Sequence, residues 1–356
     1  MRSLPACRKC RRALGKDEVR KKNIDTTHGW VKYGRYRYQC SKCEEYYYPV
    51  DEELELSEVS QMSGKKEDEL ARLSVRMPYE EAVKTYEELT GLPASVSVVH
   101  RVVQEKGKEF KGEKVEYKEL KAEGKEHVGS DGTMVNIREE GWKEVKVGAY
   151  YKVDEEGEKA EVRYVGTSES REEIGKQLYE LAGRPQLEQT AEMGFIGDGA
   201  EWLDEIQQEH FVKSTRILDY YHVSEYVGNL GKIFYGEKKG KEWIEEKLEQ
   251  IKAGGVKEVE KSLGRMKAKT IEQKEALETT RRYLKNHEEH MKYDEYKRNG
   301  FHIGSGVIEA GCKHVIGHRF KRSGMRWSRK GVEHLLCLRV AYLNDDWERV
   351  QNSRWN

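Results

Sequence analysis

The pattern of apolar and polar positions divides the first third of the chain into two parts. Residues 30–38 alternate aromatic or apolar side chains with cations, which predicts a half-buried strand of a hairpin. Residues 54–114 are helical in composition. Within them, Pro78 at a helix start, a break at residues 91–93 and a cap at Ser95 predict a helix-turn-helix. Any two amphipathic helices joined by a tight turn give this pattern, so DNA binding by this part remains one of two interpretations.

After residue 124 the pattern changes to short β-rich runs separated by turn residues, which predicts three consecutive antiparallel strands. A helix over residues 170–181 and two further strands with helices follow. The five predicted strands are His127–Ile137, Lys143–Val153, Ala160–Val165, Met193–Ala200 and Ser214–Tyr221. The order βββαβαβα predicts an α/β fold with one mixed sheet, as in a ribonuclease H-like core. Residues 228–298 predict an all-helical insertion, interrupted at Gly240 and at Gly254-Gly255.

Four of the six cysteines form two Cys-x-x-Cys pairs near the start of the chain, Cys7 with Cys10 and Cys40 with Cys43. Two such turns make the four-thiolate tetrahedral site of structural zinc, and the hairpin strand between them is typical of a zinc ribbon. Disulfides or a redox pair are the alternatives, which a reducing cytosol and the lack of a βαβ context disfavour. Cys312 and Cys337 are expected to be buried small apolar residues.

These patterns predict three domains: a zinc ribbon over residues 1–53, a helical domain over 54–122 and an α/β domain over 123–356. The 65 cations and 65 carboxylates of the 356 residues cancel. The balance is nevertheless +8 over residues 1–50, +5 over 301–356 and −13 between them. Residues 313–330 contain seven cations and no carboxylate. One such run is often a solvated helix face, but two basic ends favour nucleic acid as the partner.

No apolar stretch is long enough to span a membrane, and the basic start has no apolar core of a signal peptide. We therefore expect a cytoplasmic, nucleoid-associated protein.

Three carboxylates stand at positions suited to metal chemistry. Asp131 lies near the end of the first core strand, and Asp198 follows the fourth, its expected neighbour. Glu309 lies one turn into a helix that begins at a Gly-Ser-Gly turn, with Lys313 on the same face. Two Asp and one Glu suit a pair of Mg²⁺ or Mn²⁺ ions that assist phosphodiester displacement. An Asp before Gly is often only a turn residue, so the joint placement carries this hypothesis.

The chain resembles bacterial and archaeal DDE insertion-sequence transposases of the Kra type, which are related to Mutator-like elements and to Lre-type proteins. The resemblance spans nearly the whole chain, including the cysteine pairs. Its motifs are Ser130-Asp-Gly-Thr-Met-Val135, Gly141-Trp-Lys-Glu-Val-Lys-Val-Gly148, Ile196-Gly-Asp-Gly-Ala-Glu-Trp202, Ile217-Leu-Asp-Tyr-Tyr-His222, Ile303-Gly-Ser-Gly-Val-Ile-Glu-Ala-Gly-Cys-Lys313 and Arg319-Phe-Lys-Arg-Ser-Gly-Met-Arg-Trp-Ser328.

The resemblance implies a catalytic triad of Asp131, Asp198 and Glu309. It also draws attention to Asp219 and His222 after the fifth strand. Asp219 competes with Asp198 as the second metal ligand; we prefer Asp198 and expect Asp219 and His222 to contact DNA or to order the site. The residues expected to contact DNA are Lys313, Arg319, Lys321, Arg322, Arg326 and His222, with Trp327 packing or stacking on bases.

The implied reaction is cleavage at the ends of a mobile element followed by attack of the liberated 3′-OH on target DNA. The ribbon and the helical domain are expected to recognise terminal repeats, and chemistry on paired ends favours a homodimer or a larger homo-oligomer. The alternatives are a nuclease on the same core without strand transfer and a non-catalytic zinc-ribbon DNA-binding protein.

Overall fold

The computed structural model of the chain describes residues 5–54, 56, 60–111, 113–114, 118–154, 159–183 and 193–353. The chain forms two compact units, one of residues 1–111 and 347–356 and one of residues 112–346. Its β-strands are β1 Gly15–Thr26, β2 Gly29–Gln39, β3 Tyr46–Tyr47, β4 Lys125–Ile137, β5 Gly141–Val153, β6 Lys159–Thr167, β7 Met193–Gly197 and β8 Thr215–Leu218. Its α-helices are α1 Pro49–Glu53, α2 Gly64–Ser74, α3 Tyr79–Thr90, α4 Val96–Phe110, α5 Arg171–Ala182, α6 Glu201–His210, α7 Tyr220–Lys252, α8 Val256–Leu263, α9 Ile271–Asn286, α10 Tyr293–Arg298, α11 Gly306–Gly311, α12 His318–Phe320, α13 Arg329–Leu343 and α14 Trp347–Asn352.

The first unit combines an antiparallel sheet in the order β1-β2-β3 with helices α1 to α4 and α14. The predicted strand over 30–38 lies within β2, and the two helices of the predicted helix-turn-helix correspond to α3 and α4. Glu87, at a position where a small residue often allows close packing, accepts a hydrogen bond from the Ala94 amide (3.1 Å) in the turn. The fully buried Lys66 ammonium donates to the carboxylate of Asp25 (2.7 Å) and to the carbonyl of Pro93 (3.1 Å), so it ties the hairpin to the helices. Positions 55, 57–59, 112 and 115–117 of the predicted helical domain lie outside the described residues.

The second unit is built on a five-stranded sheet in the order β6-β5-β4-β7-β8. The strands β4, β5 and β6 are antiparallel, as predicted, while β4, β7 and β8 are parallel. The predicted mixed sheet is therefore confirmed. From β4 the chain builds the sheet first towards β6 and later towards β8, so the strand order reverses between β4 and β7. In open α/β sheets the crevice at such a reversal is where ligands bind.

The predicted helical insertion is present as α7 to α10, but one of its predicted breaks is wrong. The chain breaks at Gly236 (φ 71°, ψ 178°) instead of at Gly240. Only glycine adopts that backbone conformation readily, and it divides α7 into two halves. Gly240 serves a different purpose, because a Cβ there would lie 2.9 Å from the carbonyl oxygen of Gly231 in the other half. The second predicted break, at Gly254-Gly255, is confirmed between α7 and α8.

After the insertion, α11 continues into a π-helical segment, Cys312–Gly317, and then into α12. Helix α11 packs against β4 and β5. Close approach to β4 requires Gly129, since a Cβ there would lie 2.3 Å from the Ile308 side chain and 2.2 Å from the Ile196 carbonyl. Among the described helices, none is both long and apolar enough to cross a bilayer.

His127 on β4 anchors the segment that leads into α11. Its ring is fully buried; Nδ1 lies 3.0 Å from the carbonyl oxygen of Lys125 and Nε2 accepts the amide of His302 (3.0 Å). Burial lowers the pKa of His127 to about 3, with a smaller contribution from the His302 ring. The imidazole is therefore neutral in the folded chain over the whole physiological range.

Because the folded pKa of His127 lies below its unfolded value, its contribution to stability is complete above about pH 6.5 and is lost as the pH falls from there towards 3. We expect His127→Gln to flatten the acid side of the stability curve by about 1.4 kcal/mol per pH unit. Urea unfolding of the second unit between pH 7 and pH 4 measures this. The exposed His318, changed to Gln, is the control, and an unchanged acid limb in His127→Gln would contradict the assignment.

Candidate functional site

Three aspartates occupy one row across the parallel strands of the second unit. The register pairs Gly129 of β4 with Ile196 of β7. Continued by two residues, this register sets Asp131 level with Asp198. The register of β7 with β8 in turn sets Asp198 level with Asp219, directly after each strand. Adjacent strands lie about 4.8 Å apart. The row crosses the boundary between β4 and β7, where the strand order reverses.

Asp131 is a half-buried carboxylate in the middle of the long strand β4, not near the end of the strand as predicted. Its Oδ1 accepts the amide of Gly132 (2.7 Å), and its Oδ2 lies 3.7 Å from the Cys312 thiol. Burial raises the pKa of Asp131 above its usual value, and the negative charge of Asp198 raises it further. A bound cation would relieve both effects.

Asp198 is held in place by its backbone and borders a cleft. Its Oδ1 accepts the Ala200 amide (3.0 Å), and its carbonyl accepts the buried guanidinium of Arg216 (2.7 Å). Arg216 also binds the carboxylate of Asp204 (2.7 Å), so this residue of β8 fixes the end of β7. Sequence reasoning did not identify Arg216, because a cation inside a predicted strand carries no signal of what it will contact.

Asp219 is only 1% exposed and is engaged by hydrogen bonds. Its Oδ1 accepts the amides of Tyr221 (3.0 Å) and Ser305 (2.8 Å), and its Oδ2 accepts the hydroxyl of Ser305 (2.6 Å). Ser305 is the central residue of the Gly-Ser-Gly turn that precedes α11. The carboxylate at the end of β8 thus attaches the start of α11 to the sheet edge.

Glu309 is exposed on α11, and its neighbour along the chain, Ile308, packs over Gly129 of β4. Cys312 is one turn further, against Asp131. Burial raises the pKa of the Cys312 thiol, and the charges of Asp131 and Glu309 add to this. The third predicted acid therefore lies on the helix that covers the strand of the first.

His222 lies beside this row at the start of α7 and borders a cleft of about 740 Å³. The cleft lies between the sheet edge and helices α7 and α9, and Asp198, Tyr283 and His287 also line it. The His222 ring lies 3.9 Å from Asp219 Oδ2 and 3.2 Å from Glu225 Oε2. Partial burial lowers the pKa of His222, but the charges of Asp219, Glu225 and Asp198 outweigh it, so the net shift is upwards.

The acids nevertheless do not form a tight metal cluster by themselves. In the part of the chain that the structure describes, the four N-terminal cysteines form the group of three or more metal-ligating side chains whose ligand atoms all lie within 4.8 Å of one another. The carboxylates of Asp131, Asp198 and Glu309 do not approach one another that closely.

The predicted DNA-contacting residues are divided between the surface and the interior. Lys313, Lys321, Arg322 and Arg326 are exposed. Arg319 is fully buried, with its guanidinium 5.1 Å from the centre of the Trp327 ring, so the prediction that Arg319 contacts the DNA backbone is wrong. The alternation of cations with apolar residues in this segment could not distinguish the two environments.

Trp327 is 8% exposed, so of its two predicted roles the structure shows packing. Its Nε1 donates to the carbonyl of Phe320 (3.0 Å), and its backbone pairs with the end of β4: Trp327 N donates to Asn136 O (3.0 Å) and Arg138 N to Trp327 O (2.7 Å).

The four N-terminal cysteines come together as the spacing predicts and could bind a metal such as zinc. Both turns close in the same way: the carbonyls of Cys7 and Cys40 accept the amides of Arg11 (2.8 Å) and Glu44 (2.9 Å), which have φ of 57° and 59°. The Cys10 and Cys40 sulfurs are 3.5 Å apart, close to the edge of about 3.8 Å of a tetrahedral zinc-thiolate site.

All six cysteines are described as free thiols in this structure. Hydrogen bonds from Tyr47 and the backbone lower the pKa of Cys7 to about 6, which favours the thiolate form that a metal requires. Cys312 is buried as predicted, but Cys337 is only partly buried. Its position on α13 carried no sequence signal that separated the two.

We expect the purified chain to hold one zinc ion and Cys40→Ser to lose it, because three thiolates leave the tetrahedral site incomplete. Elemental analysis of protein prepared without chelators gives the stoichiometry. Cys337→Ser is the matched control and should retain the metal. A wild-type chain without zinc would contradict this assignment.

Comparison with known proteins places the chain among relatives of undescribed activity. A UPF0236 protein of Caldanaerobacter subterraneus subsp. tengcongensis is 28% identical in an alignment that covers 93% of this chain and 71% of the relative. A second from the same organism is 28% identical, with 93% of this chain and 72% of the relative covered. One of Streptococcus gallolyticus, named for the 3′ region of vanSb, is 25% identical, with 93% of this chain and 75% of the relative covered. The chain matches the uncharacterised protein family UPF0236 over residues 4–355, and it belongs to that family.

Proposed function

We propose that the chain is the DDE transposase of an insertion sequence, which cuts element ends and joins the 3′-OH to target DNA. One observation carries this proposal: Asp131 and Asp198 stand level on neighbouring parallel strands at the reversal of the strand order, beneath the helix that bears Glu309. Acids in this arrangement suit phosphoryl transfer.

The sheet supports a ribonuclease H-like core as part of the proposal. Three antiparallel strands are followed by two parallel strands on the other side of β4, with helices between them, which is the order that such a core has. The helical insertion between β8 and α11 supplies the far wall of the cleft beside Asp198.

Hydrogen bonding favours Asp198 over Asp219 as the second ligand. Asp219 is buried, and its two carboxylate oxygens accept three hydrogen bonds from Ser305 and Tyr221. A metal ion would have to displace these donors. Asp198 accepts one described hydrogen bond from the backbone and borders the open cleft. We therefore assign Asp219 a positioning role, acting on Glu309 through Ser305.

The residues Asp131, Asp198 and Glu309 would hold Mg²⁺ or Mn²⁺, whose carboxylate preference they match. When bound, such ions activate the attacking oxygen and stabilise the leaving one. The chain itself orients the acids: Arg216 fixes the backbone of Asp198, and Ser305 fixes α11. His222 lies beside the row, and the charges of Asp219, Glu225 and Asp198 raise its pKa.

Charge pairing on the ribbon supports DNA as the partner. On one face of the β1–β2 hairpin, Lys22 and Arg35 both form ion pairs with Asp51. On the other face, Lys21 and Lys32 are exposed, and no ion pair involving either was found among the described residues. A two-stranded ribbon fits the major groove, and phosphates attract unpaired cations.

Multiple occurrence of the relatives supports mobility. The first Caldanaerobacter relative carries eleven locus designations in one name, and another carries four. A sequence that copies itself to new sites leaves this kind of record. Because two element ends must be processed together, a homodimer on DNA is part of the proposal.

We expect Asp131→Asn and Asp198→Asn each to abolish metal-dependent cutting and joining while leaving DNA binding unchanged, because a neutral amide removes the charge that attracts the cation. The assay uses linear DNA carrying the sequences that flank this gene, with Mg²⁺ or Mn²⁺, and separates nicked from joined products. The matched control is Asp294→Asn, a partly exposed acid of α10 that lies outside the row of acids.

Joined products that disappear in both variants support a transposase. Nicks without joining would favour the nuclease, and DNA binding without either product would favour the non-catalytic alternative. Full activity in Asp131→Asn would refute the assignment of the acids.

We expect the double variant Lys21→Gln, Lys32→Gln to bind a duplex of about 30 base pairs on the order of tenfold more weakly at 0.1 M salt and to lower the salt slope by about 1.8, since each phosphate contact contributes about 0.9. Fluorescence anisotropy at several salt concentrations measures both quantities. The control is Lys22→Gln on the opposite face, where Lys22 is ion-paired with Asp51. It should change neither the affinity nor the salt slope. Equal effects of the two variants would contradict this choice of face.

A further inference from the structure

A second pocket of the α/β unit lies away from the row of acids, at the far end of β4. Its volume is about 380 Å³, within the range of small-ligand sites. It is formed by the ends of β4 and β5 and by the segment between α12 and α13. The described residues that line it are Asn136, Trp142, Phe320, Lys321, Arg322, Ser323, Gly324, Met325 and Arg326.

The chemistry of this lining is one-sided. It contains three cations, and none of the described lining residues is a carboxylate, although acids and bases are equally frequent in the chain. Its aromatic wall is Trp142, which is 61% exposed. An exposed indole beside three exposed cations is suited to a ligand with both a flat ring and negative charge.

The pocket is preorganised by buried anchors. Trp327 joins the segment to the end of β4 through two backbone hydrogen bonds, and its ring nitrogen binds the carbonyl of Phe320. The buried guanidinium of Arg319 lies over the Trp327 ring, so it stabilises the segment between α12 and α13 from the interior. The exposed Lys321, Arg322 and Arg326 are thereby carried on a fixed backbone.

The pocket is connected to the row of acids along one strand. Asn136 in the pocket and Asp131 in the row are both on β4, about 17 Å apart at 3.4 Å per residue. Strand alternation sets the side chains of Asn136 and Asp131 on opposite faces of β4. Lys321, which lines the pocket, donates from its ammonium to the hydroxyl of Thr133, on the face of Asp131, so this one cation connects the pocket with that face.

We propose that Trp142 stacks on an unpaired base of the DNA substrate while Arg322 and Arg326 hold the adjacent phosphates. This deepens the proposed function and rests on it, because it takes DNA as the substrate. Duplex DNA keeps its bases stacked on one another, so a single exposed indole gains a partner only from an unpaired nucleotide. The sequence suggested base stacking by Trp327, and we assign this role to Trp142 instead.

The test compares binding of two probes in the absence of divalent metal: a duplex with a thymidine overhang at its 3′ end and a blunt duplex of the same length. We expect Trp142→Ala to weaken binding of the overhang probe on the order of tenfold, as loss of base–aromatic stacking does, and to leave the blunt probe unchanged. Trp142→Phe should restore most of the affinity. Arg326→Gln should lower the salt slope on the overhang probe by about 0.7.

Trp30→Ala is the matched control, since Trp30 on β2 is 60% exposed and lies outside the pocket. Any effect of Trp30→Ala should fall equally on the two probes. Unchanged overhang binding in Trp142→Ala, or equal loss on both probes, would overturn the stacking role while DNA binding and the proposed transposase remain. Absence of joined products with the wild-type chain would instead overturn the proposed function, and it would not alter the preference for an overhang.

Discussion

The arrangement of the α/β unit depends on one buried carboxylate, that of Asp219. Burying an unpaired charge is costly, and three donors offset this cost: the Tyr221 amide and the amide and hydroxyl of Ser305. They come from the first turn of α7 and from the turn before α11. A single side chain at the end of β8 therefore fixes where the insertion departs from the sheet and where the chain returns, which sets α11 and Glu309 beside Asp131.

The placement of charge follows local pairing more than regional balance. The first 50 residues have a net charge of +8. Some of their cations are ion-paired with Asp51 on one face of the hairpin, and others are exposed on the opposite face. In the C-terminal basic run, Arg319 is buried in the interior, where its guanidinium packs over the Trp327 ring. A count of cations thus located the basic regions, whereas the hydrogen bonds and ion pairs decide which of their faces can meet phosphate.

Much of the fold was predictable from local signals. Alternation of apolar residues with cations located β2, and short β-rich runs between turn residues located β4 to β8. Turn and cap residues located the end of α3 and the start of α4, because cap geometry acts over a few residues. The break at Gly236 was not predictable in the same way. Several glycines in that region can end a helix, and the choice between Gly236 and Gly240 depends on how the two halves of α7 pack.

The sequence by itself determined the chemical inventory of the site: the two cysteine pairs at metal-binding spacing, and the three acids Asp131, Asp198 and Glu309 on predicted core elements. These follow from residue type and short-range order. Only the tertiary structure decided that Asp131, Asp198 and Asp219 share one row, that Asp219 binds Ser305, that Arg319 and Trp327 are interior and that Trp142 is exposed. Register between strands and burial of a side chain depend on contacts between residues distant in the chain, which local patterns do not encode.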